Sequence, residues 1–440
     1  MIEEKYIKST KKLIDFIEKS PDCYHAVNNV AQKLVNAGFA ELNEGSKWDI
    51  KSGGKYFTVR NNSSVIAFQI PENDFKGFMI SASHSDSPTY KLKPNTEIES
   101  EGLYVKLNTE EYGGMISNTW MDRPLSVAGR VVVNTSSGVE TRLVNIERDL
   151  CVIPNIAIHM NRSVNKGYDY NPQKDMLPII GDISSKGELI KVVAENINAN
   201  VDDILGYDLF LYNRCKGSIW GINNEYFSIG KIDDLQSVYA SSEAFINAKN
   251  PEMITVMAVF DNEEVGSGTK QGAKSDFLVS VLERINESLG KSRSEFFAAV
   301  ASSMMLSADN AHAVHPNSGE KADPTNRPKM NGGVVIKYHA KQKYTTDGVS
   351  EAILKKILKK NNIPYQEYTN RSDVAGGSTL GNLSNEQVSL NTVDIGAAQL
   401  AMHSAYETGG VMDTEHMTDC MALFYETVLS KSDNGAYEVE

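Results

Sequence analysis

The 440-residue sequence predicts an α/β fold, a sheet covered by helices, interrupted midway by a β-rich segment. Three observations carry this. Apolar runs of strand length alternate with segments of helical period toward both ends of the chain. From about Lys93 to Cys215 short strand-like runs alternate instead with Gly, Asn and Ser turns. Five of the apolar runs end at once in acidic or imidazole side chains.

Taken in order, Leu13, Phe16 and Ile17 recur at helical spacing, as do Val27, Val30, Leu34 and Val35, so the chain opens with two helices. Tyr56 to Arg60 and Ser64 to Ile70 flank "NNS" and predict a hairpin. "GFMISAS", residues 77–83, reads as a strand buried on both faces. In the middle segment "LYVKL", "GRVVVN" and "TRLVNI" read as strands of a β-rich domain or an insertion. After Gly230 "ITVMAVF" and "SLNTVDIG" are strand-like, and "DFLVSVLERINESL" and "SEAILKKILKKNN" are helix-like. "TEHMTDCMALFYETVLS" closes the chain as an amphipathic helix. There is no internal repeat and no long low-complexity segment.

The formal net charge is −13, which argues against unaided binding to nucleic acid or to an anionic membrane. No stretch is long and apolar enough to cross a bilayer, and the N-terminus carries no apolar signal core. Cys23, Cys151, Cys215 and Cys420 are scattered without CxxC spacing. A disulfide framework or thiolate zinc site is therefore not expected, and a reducing cytoplasm is the simplest setting.

The five run ends carry the chemistry. "GFMISASHSD" ends in His84 and Asp86, and "FSIGKIDD" in Asp233 and Asp234. "ITVMAVFDNEE" ends in Asp261, Glu263 and Glu264, and "SSMMLSADNAH" in Asp309 and His312. "QLAMHSAYE" carries His403 and Glu407. In open α/β sheets ligands bind outside the carboxyl ends of strands, so these ends would line one pocket. Carboxylates crowded without cations raise each other's pKa and are penalised by burial. Protonation or bound metal relieves this, and the interspersed histidines favour metal. With no cysteine nearby, a His/Asp/Glu set suits zinc, or cobalt or manganese in its place. A carboxylate can bridge two ions, so the set is suited to two-metal hydrolysis. Of the adjacent glutamates, one can bind metal while the other takes a proton from water; Gly266 and Gly268 would then turn the chain away.

The motifs "SASHSDSPTYKLKP", "GKIDDLQSVYA", "FDNEEVGS", "SADNAHAVHPN" and "DIGAAQLAMHSAYET" resemble those of the aspartyl aminopeptidases, co-catalytic zinc exopeptidases. "WMDRPLSVAGRV", "IPNIAIHMNRSVN" and "RSDVAGGSTLGN" also look like family segments. The resemblance covers nearly the whole chain. It implies a mixed-sheet zinc-peptidase domain, residues 1–92 and 220–440, with a β-rich dimerisation domain inserted at 93–219. It implies two divalent ions per subunit, a bridging hydroxide and a peptide substrate, with dimers assembling into a tetrahedral dodecamer. His84, Asp233, Glu264, Asp309 and His403 would be metal ligands, with Asp233 bridging. Glu263 would be the general base and Asp86 would orient the His84 ring. His312 and Lys337 would lie at the substrate, and His159 would be lent to the neighbouring subunit's site. The family usually has Asn where this chain has Asp234, which would alter metal affinity or face a backbone amide.

Singly, each of these residues also reads as a cap, a surface group or turn chemistry; their joint order favours a site. His315, His339 and His416 read as structural or exposed, and Lys355, Lys356, Lys359 and Lys360 as a solvated helix face. Tyr112 to Gly114, Gly376, Gly377, Asp373 and Ser378 could shape the pocket. The function expected is a metal-dependent aminopeptidase leaning toward acidic N-terminal residues. A two-metal deacylase of N-acyl amino acids and a non-enzymatic oligomeric scaffold are the alternatives.

Overall fold

The computed structural model describes residues 2–432 and 435–440. Its centre is a nine-stranded mixed sheet, which bears out the α/β expectation. From one edge the strands are Ala40–Glu41, Lys55–Arg60, Ser64–Gln69, Met253–Phe260, Gly77–His84, Met304–Ala308, Asn391–Gly396, Val334–Tyr338 and Tyr365–Thr369. The four from Met253–Phe260 to Asn391–Gly396 run parallel to one another. Their carboxyl ends therefore fall on one side, with Phe260 opposite His84 in register.

Side-chain alternation explains why helices cover both faces. In Met253–Phe260, Met257 and Val259 point into a core shared with the helices Glu4–Glu18, Cys23–Asn36, Ile232–Asn247, Gly348–Lys360 and Asp413–Glu426. Ile254, Val256, Ala258 and Phe260 point into the opposite core, against Phe277–Ser288 and Arg293–Ala301. Each of these apart from Ala258 contributes about 1.5–3 kcal/mol on burial. A one-residue slip would exchange the two sets, so the register is strongly specified. The hairpin expected at "NNS" is present, with Asn61 and Asn62 both at positive φ.

The middle of the chain builds a separate six-stranded antiparallel sheet from strands Thr89–Ser100, Tyr104–Tyr112, Leu125–Thr135, Gly138–Asn145, Ile179–Asp182 and Ile204–Asn213. It begins at Thr89, ahead of the texture change near Lys93. It also carries a helix, Leu189–Asn196, that the β-rich reading missed. "LIKVVAEN" is short and apolar enough to pass for a strand; Leu189, Val193 and Ile197 at helical spacing pack it into this sheet's core. Asp208 positions the arginine that ties the two sheets together. It accepts from Lys91 Nζ at 2.8 Å and Arg130 Nε at 2.9 Å, while Arg130 Nη1 donates to Asn61 O at 2.7 Å.

A third sheet of five strands runs Ser218–Trp220, Tyr226–Ile229, Glu407–Gly410, Ala398–Leu400 and Ala311–His312. The helix Asp413–Glu426 does not close the chain; a two-stranded pair, Leu429–Lys431 and Tyr437–Val439, follows it. All four cysteines are free thiols. Among the described residues no helix is long and apolar enough to cross a membrane.

Candidate active site

His84 is the last residue of the central strand Gly77–His84 and is 1% exposed. Its Nδ1 lies 3.3 Å from Asp86 Oδ1, and its Nε2 lies 3.4 Å from Asp233 Oδ1 and 4.0 Å from Asp309 Oδ1. Asp233 sits in the first turn of Ile232–Asn247, where Asp233 and Asp234 depart from helical geometry. That departure points the Asp233 carboxylate between two imidazoles: its Oδ2 is 3.4 Å from His403 Nε2. The same His403 nitrogen is 3.4 Å from Glu264 Oε2. Three sets of donors each converge within 4.8 Å: His84, Asp233, Asp234 and Asp309; His84, Glu263 and Glu264; and Asp233, Glu264 and His403.

The adjacent glutamates occupy a short 3-10 turn, Glu263–Val265, directly after the strand Met253–Phe260 and two connecting residues. Asn262 before it and Gly266 after it are both left-handed, so the chain reverses within a few residues. Ser267, not Gly268, supplies the next left-handed residue. Asp86 fixes the turn. Its Oδ1 accepts from the Glu263 N–H at 3.1 Å, and its Oδ2 accepts from the Glu264 N–H at 3.2 Å and from Tyr112 Oη at 2.7 Å. Asp86 thus orients the His84 ring, whose Nδ1 lies 3.1 Å from its main-chain O, and through its carboxylate the glutamate pair.

Glu407 is a second such hub, which the sequence reading noted without giving it a role. Buried at 2% exposure, its Oε2 accepts from the N–H of Ile232 at 2.6 Å and of Asp233 at 3.1 Å. Its Oε1 accepts from the His403 N–H at 2.7 Å. It therefore holds the Asp233 turn and His403 in mutual position. Gly113 is the other residue with no sequence signal beyond turn chemistry. Its φ is +77°, and a Cβ there would meet the Glu264 Cβ at 3.0 Å.

The charge balance of the bare chain is unfavourable. Burial pushes Glu263 up to about 8, Glu407 to about 8 and Asp309 to about 6. Burial raises Asp234 and Glu264 as well. Burial also pushes Asp233 upward, but the His403 and His84 imidazoles outweigh it and hold this carboxyl below the usual range. Asp233 Oδ1, Asp234 Oδ1 and Glu264 Oε1 are buried without a hydrogen-bond partner. An unsatisfied buried acceptor costs about 1–3 kcal/mol, and all three belong to residues of the converging donor sets, which calls for a cation. The donor set is all imidazole and carboxylate, which fits zinc or a similar divalent ion.

The remaining expected residues separate. Asp309 follows Met304–Ala308, and Lys337 lies within Val334–Tyr338. Lys337 is 2% exposed; its Nζ donates to Asp309 O at 2.8 Å and lies 3.5 Å from Asp309 Oδ2. Burial lowers its pKa, and the anionic groups around it, Asp309 foremost, together more than restore it. Lys337, His312, Tyr344, Tyr368, Gly377 and Ser378 join Glu263 and Asp309 around a cleft of about 330 Å³. Asp234 accepts from a backbone amide, the His84 N–H at 3.1 Å, on the neighbouring strand rather than on its own helix. His159 lies on an exposed stretch, 154–160, and contributes no atom to the cluster within its own chain. His416 is structural, packed edge-on to Tyr6.

The family described as Aminopeptidase I zinc metalloprotease (M18) matches residues 16–425. A Clostridium acetobutylicum protein named "Probable M18 family aminopeptidase 2" is 50% identical over 427 residues, covering 95% of this chain and 99% of that one. The "Cryo-EM structure of the Ape4 and Nbr1 complex" superposes with a TM-score of 0.92 at 35% identity, over 96% of this chain and 86% of that one. The "Structure of S. cerevesiae mApe1 dodecamer" gives 0.84 at 26% identity, over 96% and 97%. The chain belongs to the M18 family of zinc metalloproteases, and it is a metalloaminopeptidase, a hydrolase of peptide bonds.

Proposed function

We propose that the enzyme removes single N-terminal residues from peptides at a two-ion site centred on Asp233. The observation that carries this is the span of the Asp233 carboxylate, one oxygen toward His84 and the other toward His403, each 3.4 Å away. His84, Asp233 and Asp309 would hold one ion, and Asp233, Glu264 and His403 the other, with Zn2+ or else Co2+ or Mn2+. When bound, the ions supply Lewis acidity to the scissile carbonyl and a lowered pKa to water.

The chain's own residues do the rest. Glu263 takes the proton of the attacking water and returns it to the leaving amine. The Asp86 carboxylate fixes the turn that carries Glu263. Lys337 holds the loop of Asp309 through its two carbonyl contacts. Its positive charge in the cleft supports a preference for acidic N-terminal residues, with His312 beside them. The six-stranded sheet, the core of the span expected at 93–219, would be the dimerisation unit. The exposed Ile156, Ile158 and Met160 around His159 support a subunit contact that brings His159 to a neighbour's cleft. Assembly as a dodecamer is supported by the likeness to the mApe1 dodecamer.

Glu263→Gln tests the assignment. It should keep its metal content by elemental analysis and lose about 10²–10⁴-fold in kcat. Wild-type turnover in this variant removes Glu263 as the base. A panel of aminoacyl substrates with zinc, cobalt and manganese tests the acidic preference; equal kcat/KM for Asp, Glu and Leu termini rejects it.

A further inference from the structure

His312 and Tyr368 line the catalytic cleft and also a second hollow of about 310 Å³, walled by His315, Lys321, Val374 and Gln399. The two rings meet edge to face at the junction, with centroids 6.1 Å apart. His312 belongs to Ala311–His312, the outermost strand of the five-stranded sheet, which pairs in parallel with Ala398–Leu400. In a parallel ladder alternate residues bond the neighbouring strand. Here the Ala311 N–H donates to Ala397 O and the Ala313 N–H to Gln399 O, each at 2.9 Å. The N–H and C=O of His312, between them, therefore face the open side of the sheet. Such an edge is a template for an added strand.

A residue seated at the carboxylate cluster leaves the rest of its peptide to run out of the cleft. One way out crosses His312, and the second hollow continues it. We propose that the part of the substrate beyond the scissile bond pairs with the main chain of His312 as an added strand and passes into that hollow. This rests on the catalytic assignment above. Main-chain pairing reads no side chain, so the ligand class is an extended peptide of any sequence. The pairing would let one enzyme accept many leaving peptides while favouring those long enough to reach the edge.

The test uses the metal-loaded enzyme and substrates sharing one N-terminal residue: the p-nitroanilide, the dipeptide, the tripeptide and the tetrapeptide. KM should fall at least about fivefold from dipeptide to tetrapeptide, as one or two backbone hydrogen bonds supply. N-methylation of the tetrapeptide at the third or the fourth residue, one of which faces the edge, should reverse the gain at one position. Equal KM across the series overturns the proposal. A length effect that both N-methyl peptides retain overturns the main-chain pairing. Turnover of the p-nitroanilide that survives Glu263→Gln would instead overturn the catalytic assignment, so the two failures are distinguishable.

Discussion

Asp86 and Glu407 are acids whose oxygens are spent on backbone amides rather than left free for a ligand. Each fixes two parts of the cluster that are far apart in the chain. Glu407→Ala would strip acceptors from Ile232, Asp233 and His403 together. The expected result is lost metal as well as lost kcat, read by elemental analysis and steady-state kinetics on the same preparation. Full metal content with normal kcat would show that the two segments hold themselves. Gly113→Ala strains a left-handed backbone and pushes a methyl onto Glu264. It should lower metal affinity in a chelator competition; an unchanged affinity would mean the Gly113 loop gives way instead.

The strands owe their arrangement to burial, but the join between sheets owes much to one ion cluster. Burial works against the Asp208 carboxylate, yet Lys91 and Arg130 outweigh it and hold its pKa below the ordinary value. A depressed carboxyl contributes stability above its unfolded pKa of about 3.9 and loses it as pH falls through the folded value. Asp208→Asn should therefore cost about 1 kcal/mol or less at pH 7, since solvent screens this partly exposed cluster, and progressively less below about pH 4. Denaturation midpoints of the two proteins at pH 7 and pH 3 check this; a gap that widens in acid would contradict it.

At the scale of the whole molecule, the cluster is a charge problem that cations solve. An ion bound only by the folded chain stabilises it by about 2.7 kcal/mol when free ion is a hundredfold above Kd. Chelation should lower the melting temperature, and zinc should restore it; a melting temperature indifferent to chelator would deny a structural role to the ions. If His159 serves a neighbouring subunit, mixing His159→Ala with Glu263→Gln chains under exchange conditions should regain part of the activity that neither has alone. No regain in verified mixed oligomers rejects the lending.

The sequence by itself determined the hairpin at Asn61, the apolar strands Gly77–His84, Met253–Phe260 and Asn391–Gly396, most helices and the set of run ends, because burial imposes local periods that a single chain segment displays. It marked His84, Asp233, Glu263, Glu264, Asp309 and His403 because chemistry-bearing groups placed straight after buried strands stand out. It passed over Leu189–Asn196, whose eight residues are too few to separate a helix from a strand by period. Only the tertiary structure decided that Asp234 faces the His84 amide, that Lys337 turns onto Asp309, and that Asp86 and Glu407 act as hubs. It alone left the edge at His312 open. Those facts depend on contacts between residues distant in the chain, such as Glu407 with Asp233, and a hydrogen bond across that separation leaves no periodic trace in the sequence.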